Sequence, residues 1–265
     1  MSEECSHRGL VDILDFTLLD LNATTSDLDS FAEVALIAEP AAVCVFAQHV
    51  HHIRTRLTST GSDIFIVAVA GGFPVGDNTV QSLSSAIGEA ITAGADEIDF
   101  VLEPRFADDF PGLHEEALLR AAKEASRGKT LKVILETSLL SEDAMVAAAE
   151  MALECGADFL KTSTGKRGGA TTQSARVLTA AIRRHEERTG SKKGIKLSGG
   201  IRTPEDAHEL LQVVIDTHPT ITTGEVVLNR KDRDRIRIGA SSLMRVLMPT
   251  LYDTPPADVV VSTQY

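Results

Sequence analysis

The sequence predicts a single-domain (β/α)8 barrel, on the evidence of its strand count, the spacing of those strands and its length. Eight short runs rich in β-branched residues recur at intervals of very roughly thirty residues, about the length of one βα unit. Stretches with helical periodicity separate them. A chain of 265 residues fits one such barrel. An open parallel sheet is the alternative fold, but no GxGxxG motif follows the first strand.

The elements follow from local sequence in chain order. The predicted strands are Asp12–Leu18, Ala41–Phe46, Ile64–Ala70, Glu97–Leu102, Leu131–Glu136, Asp158–Thr162, Gly194–Leu197 and Arg235–Ile238. The predicted helices include Thr79–Ala93, Glu115–Ser126, Asp143–Cys155, Thr172–Glu187 and Pro204–Ile215. Ser141 and Thr203 are capping residues, each followed by acidic residues. Gly94 with Asp96, and Gly156 with Asp158, indicate one helix-to-strand junction used twice.

Composition limits the class of protein. The net charge of −12 argues against nucleic-acid or anionic-membrane partners. No secretory signal is visible, and the longest apolar run, Ile64–Phe73, is too short to span a bilayer. Cys5, Cys44 and Cys155 are widely spaced without a CxxC pair, which indicates reduced thiols. We therefore predict a cytoplasmic protein, one domain over residues 1–265 with an irregular tail from about 252 to 265. A homo-oligomer is left open.

Ionisable side chains recur near the ends of the predicted strands, where barrels of this kind place their active sites. Lysine is rarely buried without a partner, so two lysines on apolar strands are candidates for chemistry. Two close amines favour deprotonation of one, and a neutral amine attacks carbonyl carbon. The strand-end residues are Asp15 and Thr17, Cys44, Asp99, Glu136, Lys161 and Lys196.

Two glycine- and serine-rich loops form a candidate phosphate site. Ser198-Gly199-Gly200 follows the seventh strand and Gly239-Ala240-Ser241-Ser242 follows the eighth, each before a helix. Glycine lets a ligand approach the backbone, and a helix N-terminus presents N–H groups to an anion. The loops after these two strands are the usual phosphate site of the fold. Ordinary turn chemistry is the alternative interpretation of both loops.

Six segments carry a family resemblance over essentially the whole chain. They are FLKTSTGK (159–166), GIKLSGGIRT (194–203), GADEIDFV (94–101), RIGASSL (237–243), LDFTLL (14–19) and AAVCVF (41–46). Together they resemble the deoxyribose-phosphate aldolase family. The resemblance implies a class I aldolase that reversibly cleaves 2-deoxy-D-ribose 5-phosphate to acetaldehyde and D-glyceraldehyde 3-phosphate, without metal or other cofactor. Ser198 and the run 102–105 depart from the family pattern.

The resemblance also implies residue roles. Lys161 corresponds to the Schiff-base lysine, Lys196 to the lysine that lowers its pKa, and Asp99 to the proton-relay carboxylate. Tyr265 corresponds to a terminal tyrosine that helps to move the substrate proton; a disordered tail is the alternative. The remaining residues are assigned to the pocket or the phosphate, and they are Thr17, Cys44, Thr164, Lys166, Gly199, Gly200, Gly239, Ser241 and Ser242.

Other motifs have simpler explanations. Thr164-Gly165-Lys166 lacks the first glycine of a P-loop. His49, His51 and His52 suggest a metal site, but a solvated helix start is favoured. The acidic segment from Asp108 to Glu116 suggests a metal-dependent aldolase, but a solvated face is favoured. Residues 231–235 mix charges and are predicted to be an exposed loop rather than a nucleic-acid patch.

Two other functions compete with the Schiff-base aldolase. One is another phosphate-binding barrel enzyme, either an isomerase or a class I aldolase for a longer sugar phosphate, which does not need Lys196 beside Lys161. The other is a non-catalytic phosphosugar-binding protein, which would leave Lys161 at an ordinary lysine pKa. Binding alone requires none of Lys161, Lys196 and Asp99, so their joint presence favours the aldolase.

Overall fold

The eight strands close into a parallel barrel in chain order. The computed structural model describes residues 3–76, 78–104, 110–223 and 228–251. Within these ranges, β1 is hydrogen-bonded to β2 on one side and to β8 on the other. The register places Asp15 beside Ala42 on β2 and beside Gly239 on β8. The predicted (β/α)8 fold is therefore confirmed, whereas the predicted tail, 252–265, lies outside the described residues.

The elements alternate regularly along the chain. The strands are β1 (Leu14–Leu18), β2 (Ala42–Phe46), β3 (Phe65–Ala70), β4 (Glu97–Val101), β5 (Thr130–Ile134), β6 (Phe159–Lys161), β7 (Gly194–Ser198) and β8 (Ile236–Ala240). The α-helices are α1 (Glu3–Asp12), α2 (Thr25–Ala38), α3 (Ala47–Thr58), α4 (Val80–Thr92), α5 (Leu113–Ala125), α6 (Glu142–Glu154), α7 (Thr172–Thr189), α8 (Pro204–Thr217) and α9 (Ser242–Leu251). Short 3-10 helices cover Thr137–Leu139, Pro219–Ile221 and Arg230–Asp234. No helix in the described part of the chain is both long and apolar enough to cross a bilayer.

An extra helix precedes the barrel. Asp12 ends α1 and β1 begins only at Leu14, so the predicted start of the first strand at Asp12 is wrong. Leu10 and Val11 of α1 are buried in the main core. The ring Nδ1 of His7 lies 2.8 Å from Oγ1 of Thr250 on α9, which ties the helix to the last element.

The barrel interior has an apolar half and a charged half. Side chains alternate along each strand, so every second residue faces the helices and belongs to the main core. The residues between them face inward. On β2 and β3 these are apolar side chains, with Cys44, Val67 and Val69 in one buried cluster. From β4 through β8 and on to Asp15 of β1 they include buried charged groups. Full burial of an aliphatic side chain stabilises a fold by about 1.5–3 kcal/mol, whereas a buried charge requires a partner.

The same junction precedes β4 and β6, as predicted. Gly94 and Gly156 have φ angles of 111° and 96°, a region that disfavours residues with a Cβ. Asp96 and Asp158 each follow two residues later. Each carboxylate accepts a hydrogen bond, at 2.9 Å, from the backbone N–H of the second residue of the preceding strand. Both β4 and β6 are therefore tied to the preceding strand by the aspartate that stands just before their first residue.

Each of three segments predicted to be solvated contains one buried residue, although His51, His114 and Lys231 are exposed. The histidines do lie at the start of α3, but His49 is 7% exposed and its ring Nε2 lies 3.1 Å from the Asp20 carbonyl oxygen. Glu115 is buried, and its carboxylate accepts the Gly112 N–H at the start of α5. Asp232 is buried within a 3-10 helix and accepts the Thr223 N–H, so 231–235 is not an exposed loop. Asp108 and Asp109 lie outside the described residues.

Candidate active site

Lys161, Lys196 and Asp99 meet inside the barrel. Lys161 ends β6, and its Cα is paired with that of Lys196 on β7. Their side-chain nitrogens lie 2.9 Å and 2.8 Å from the same oxygen, Oδ2 of Asp99 on β4. All three residues are buried, with at most 3% of their surface exposed. The sequence-predicted group of two amines and one carboxylate is therefore brought together by three different strands.

The two amines have opposite electrostatic settings. Burial lowers the pKa of Lys161, and the charge of Lys196 lowers it further, while Asp99 opposes both. Burial also acts to lower the pKa of Lys196, but Asp15 and Asp99 outweigh it and raise that pKa above its ordinary value. Burial acts to raise the pKa of Asp99, but Lys132 and the two amines hold it well below its usual range. Lys161 is thus the amine that loses its proton more readily.

Three charged residues that sequence reasoning missed lie next to this group. Lys132 Nζ is 3.2 Å from Oδ1 of Asp99 and also contacts Glu97. Arg237 is hydrogen-bonded to Asp15 at 2.5 Å and to Glu97 at 2.8 Å. Lys132 and Arg237 are each a single charged residue between apolar neighbours in a strand, and Glu97 lies two residues before Asp99 on the same strand. The alternation of a strand places all three on the interior face, and it is the signal that could have identified them.

Glu136 does not join the lysines. Strand β5 ends at Ile134, before Glu136, whose φ of 48° is unusual for a residue with a side chain. Its carboxylate accepts hydrogen bonds from the hydroxyl of Thr164, at 2.5 Å, and from the Thr164 N–H, at 3.3 Å. Burial raises the pKa of Glu136, and the bonds from Thr164 oppose that rise. Glu136 therefore holds the loop after β6 in place.

Thr17 and Cys44 lie on adjacent strands and are paired in register. Both are buried on the interior side of β1 and β2. The Thr17 hydroxyl donates to the Asp15 carbonyl oxygen at 2.8 Å. Burial raises the pKa of the Cys44 thiol, which keeps it protonated. These two side chains border the charged group from the apolar half of the barrel.

The loops after β7 and β8 have distinct geometries. Gly199 and Gly200 have φ angles of 86° and 80°. A Cβ on Gly199 would lie 2.6 Å from the Gly168 carbonyl oxygen, whereas one on Gly200 would meet nothing within 4 Å. The buried Oγ of Ser241 has no hydrogen-bond partner among the described residues, and Ser242 begins α9. A buried hydroxyl without a partner beside a helix N-terminus is suited to an anionic ligand.

Gly239 lies within β8 rather than in the loop. A Cβ there would come within 2.9 Å of Cε of Lys196, so the absent side chain leaves room for that amine. Lys166 is exposed, and its N–H donates to the Thr164 hydroxyl at 3.1 Å. Tyr265 lies outside the described residues. Within the residues described, no group of three His, Cys, Asp or Glu side chains is placed to hold a metal ion.

Comparisons with known proteins place these features in context. A family model described as "DeoC/LacD family aldolase" matches residues 11–244. Deoxyribose-phosphate aldolase of Deinococcus radiodurans is 36% identical over 209 residues, which is 77% of this chain and 89% of the relative. Deoxyribose-phosphate aldolase 1 of Vibrio vulnificus is 35% identical over 220 residues, or 80% of this chain and 95% of the relative.

Solved structures show the same fold. The crystal structure of a putative deoxyribose-phosphate aldolase from Toxoplasma gondii ME49 matches with a TM-score of 0.81 and 25% identity. The match covers 96% of this chain and 97% of that one. An aldolase from Aeropyrum pernix, at 22% identity and a TM-score of 0.71, shows likeness of fold alone.

Proposed function

Because the chain belongs to the DeoC/LacD family of aldolases, a family of carbon–carbon lyases, we propose that it cleaves 2-deoxy-D-ribose 5-phosphate reversibly. The products are acetaldehyde and D-glyceraldehyde 3-phosphate, and Lys161 forms the Schiff base. The observation that carries the proposal is the burial of Lys161 against Asp99 and Lys196, at the end of an interior strand. The relatives' names supply the substrate class.

The reaction begins with neutral Lys161. Its amine adds to the C1 aldehyde of the open-chain sugar, and loss of water gives an iminium. Loss of the C3 hydroxyl proton then breaks the C2–C3 bond. The bonding electrons pass to the iminium, which becomes an enamine, and glyceraldehyde 3-phosphate leaves. Protonation of the enamine at C2 and hydrolysis release acetaldehyde and restore Lys161.

Asp99 and Lys196 are proposed to handle the protons in this sequence. Asp99 contacts both amines through one oxygen, so a proton leaving Lys161 has an acceptor at 2.9 Å. Lys196 stays charged because Asp15 and Asp99 raise its pKa. Transfer to carbon also needs a water molecule or another acid that reaches the substrate. The family resemblance implies Tyr265 for this role, and removal of that residue tests it.

The substrate phosphate is proposed to bind where β7 and β8 lead into their helices. The unpartnered hydroxyl of Ser241 and the first turn of α9 at Ser242 offer donors to an anion. The backbone at Gly200 borders open space, so a ligand can approach it closely. Gly199, Thr164 and Lys166 complete the proposed set, whereas Gly239 lies within β8 and leaves room for Lys196. The predicted cytoplasmic location and any homo-oligomer stay predictions.

Borohydride trapping with acetaldehyde tests the Schiff base. The protein is incubated with acetaldehyde, reduced and digested, and the peptides are mapped by mass spectrometry. We expect an ethyl group on Lys161 and none in Lys161→Met. Lys193→Met is the matched control, because burial also lowers the pKa of Lys193, whose ammonium donates to the Ala157 carbonyl oxygen outside this site.

Other outcomes would point elsewhere. No adduct in folded protein would favour the isomerase or the non-catalytic binder. An adduct on Lys196 would keep the aldolase and reverse the roles of the two lysines. Turnover of 2-deoxy-D-ribose 5-phosphate, measured by release of glyceraldehyde 3-phosphate, tests the substrate independently of the trapped lysine.

A further inference from the structure

Six charged side chains inside the barrel form a closed ring in which cations and anions alternate. We call this set the ionic ring. Its members come from β1, β4, β5, β7 and β8. In order of contact they are Arg237, Asp15, Lys196, Asp99, Lys132 and Glu97, with Glu97 returning to Arg237.

Each carboxylate in the ring uses its two oxygens for two different cations. Asp15 contacts Arg237 through Oδ1 and Lys196 through Oδ2, both at 2.5 Å. Asp99 contacts Lys196 through Oδ2 at 2.8 Å and Lys132 through Oδ1 at 3.2 Å. The two aspartates therefore share Lys196 as a common neighbour.

Glu97 closes the ring on the side away from Lys196. Its Oε1 accepts a hydrogen bond from Arg237 at 2.8 Å, and its Oε2 contacts Lys132. Arg237 can bridge Asp15 and Glu97 because its planar guanidinium presents several N–H groups in fixed directions. Its Nε donates to the Arg233 carbonyl oxygen, and the rings of Phe65 and Phe159 lie 5.6 Å and 6.0 Å from the guanidinium.

The ring is electrically neutral when all six groups are ionised, because it contains three cations and three anions. Lys161 is attached to it from outside, at Oδ2 of Asp99, as a fourth cation. The side chains of all seven residues are at most 5% exposed. An uncompensated buried charge is costly, and the cheapest relief is loss of its proton. The surplus cation in this group is Lys161.

We propose that the ionic ring sets the protonation state of the active site, with Arg237, Glu97 and Lys132 acting as positioning residues through Asp15 and Asp99. Because the ring contains as many anions as cations, Lys196 stays charged and Lys161, the additional cation, is the group that loses its proton. The proposal deepens the proposed function and rests on it for the role of Lys161. The directions of the pKa values agree. Burial outweighs Asp99 at Lys161, whereas Asp15 and Asp99 together outweigh burial at Lys196, and Asp15 and Glu97 together outweigh it at Arg237.

In the described part of the chain, four other titratable residues lie near Lys161, and the test leaves all of them unsubstituted. Asp99 on β4 and Lys196 on β7 are ring members. Cys44 on β2 faces Lys161, and burial raises its pKa, so it is a neutral thiol. Glu136, after β5, is held by Thr164. None of these four is changed in the variants below.

The charge count gives opposite signs for two substitutions. Glu97→Gln removes an anion and leaves two surplus cations, so the pKa of Lys161 falls. Lys132→Met removes a cation and leaves none in surplus, so the pKa of Lys161 rises. We expect each substitution to shift the pKa of Lys161 by about one unit, the lower end of the shifts that a nearby charge produces. The double variant removes one charge of each sign and returns the pKa of Lys161 to the wild-type value.

Acetylation by acetic anhydride as a function of pH measures this pKa, because the reagent needs only a neutral amine. The label on Lys161 is quantified by mass spectrometry against exposed Lys192. Arg235→Gln is the matched control, since Arg235 pairs with Glu186 outside the ring. It should leave the midpoint of Lys161 labelling unchanged. Circular dichroism checks the fold of each variant.

Three results would overturn the proposal. They are a labelling midpoint of wild-type Lys161 that is no lower than that of Lys192, single variants whose midpoints do not shift in opposite directions, and a double variant shifted further than either single. If one single variant does not fold, the other still tests the direction of its own shift. Failure of acetaldehyde trapping in wild type would instead reject the proposed function, and the acetylation result would stand apart from it.

Discussion

Lys161 and Lys196 contact the same oxygen of Asp99, at 2.9 Å and 2.8 Å, yet their pKa values move in opposite directions. The difference is Asp15, whose Oδ2 lies 2.5 Å from Lys196. Lys161 is buried as deeply as Lys196, but of the described carboxylates its amine contacts only Asp99, which it shares with Lys196. Burial is therefore the largest influence on the pKa of Lys161 and lowers it. A carboxylate on β1 thus decides which of two lysines can act as a nucleophile.

Replacement of Lys196 by leucine should raise the pKa of Lys161, because it removes a neighbouring positive charge. Lys161 attacks as the neutral amine, so the rising limb of the kcat/KM profile should move to higher pH by about one unit or more. The profile of Lys196→Leu is compared with wild type and with Lys193→Leu, which alters a buried lysine outside the site. A rising limb that stays in place would contradict the assignment.

Ser241→Ala should weaken phosphate binding. The wild-type hydroxyl is buried without a partner among the residues described, and a hydrogen bond to a charged ligand is worth about 1.5–3 kcal/mol. We expect KM for the phosphorylated sugar to rise about tenfold, with turnover of unphosphorylated 2-deoxyribose unchanged. Thr179→Val is the control, because it removes another buried, unpartnered hydroxyl, on α7. Equal losses for both sugars would contradict phosphate binding by Ser241.

Gly239→Ala should displace Lys196. The added methyl carbon would lie 2.9 Å from Cε of Lys196 and 3.0 Å from Cβ of Ser198, closer than carbon atoms pack. A shifted Lys196 loses its contacts with Asp15 and Asp99, so kcat should fall by about a hundredfold, the lower end of the range for loss of a proton-handling group. Gly88→Ala in α4 is the control, because a Cβ there meets nothing within 4 Å. Full activity in Gly239→Ala would show that Lys196 tolerates the displacement.

Asp15 should make stability depend on pH in the acidic range. Burial acts to raise the pKa of Asp15, but Lys196 and Arg237 lower it to about 2. A carboxylate whose pKa is lower in the folded state stabilises the fold above its unfolded pKa. That contribution, about 2 kcal/mol, is lost as the pH falls from about 4 to 2.

Urea unfolding at several pH values checks the Asp15 contribution. Wild type should lose free energy of unfolding between about pH 4 and pH 2, and Asp15→Asn should lose less over that interval. Asp63→Asn is the control: Arg230 lowers the pKa of Asp63, but this side chain is 67% exposed. Its replacement should change stability by under about 1 kcal/mol. Parallel curves for wild type and Asp15→Asn would reject the prediction.

Strand ends were readable from the sequence because apolar runs and their intervals are local features. Lys161, Lys196 and Asp99 follow from them, and the structure brings these residues together. Arg237 was missed because its partners lie on β1 and β4, and contacts across a barrel depend on the stagger of strands far apart in sequence. Glu136 was predicted to lie on a strand, whereas its backbone is left-handed. Glycine usually marks such a conformation in a sequence, and this position has none.

The anchored junctions before β4 and β6 have a consequence for redesign. Asp99 and Lys161 each lie three residues beyond the aspartate of their own junction, and they are 62 residues apart. The distance between Asp99 and Lys161 is therefore set by contacts at the N-terminal ends of their strands. We therefore expect that loops at the C-terminal ends of the strands can be exchanged to admit other aldehydes while Lys161 and Asp99 keep their positions.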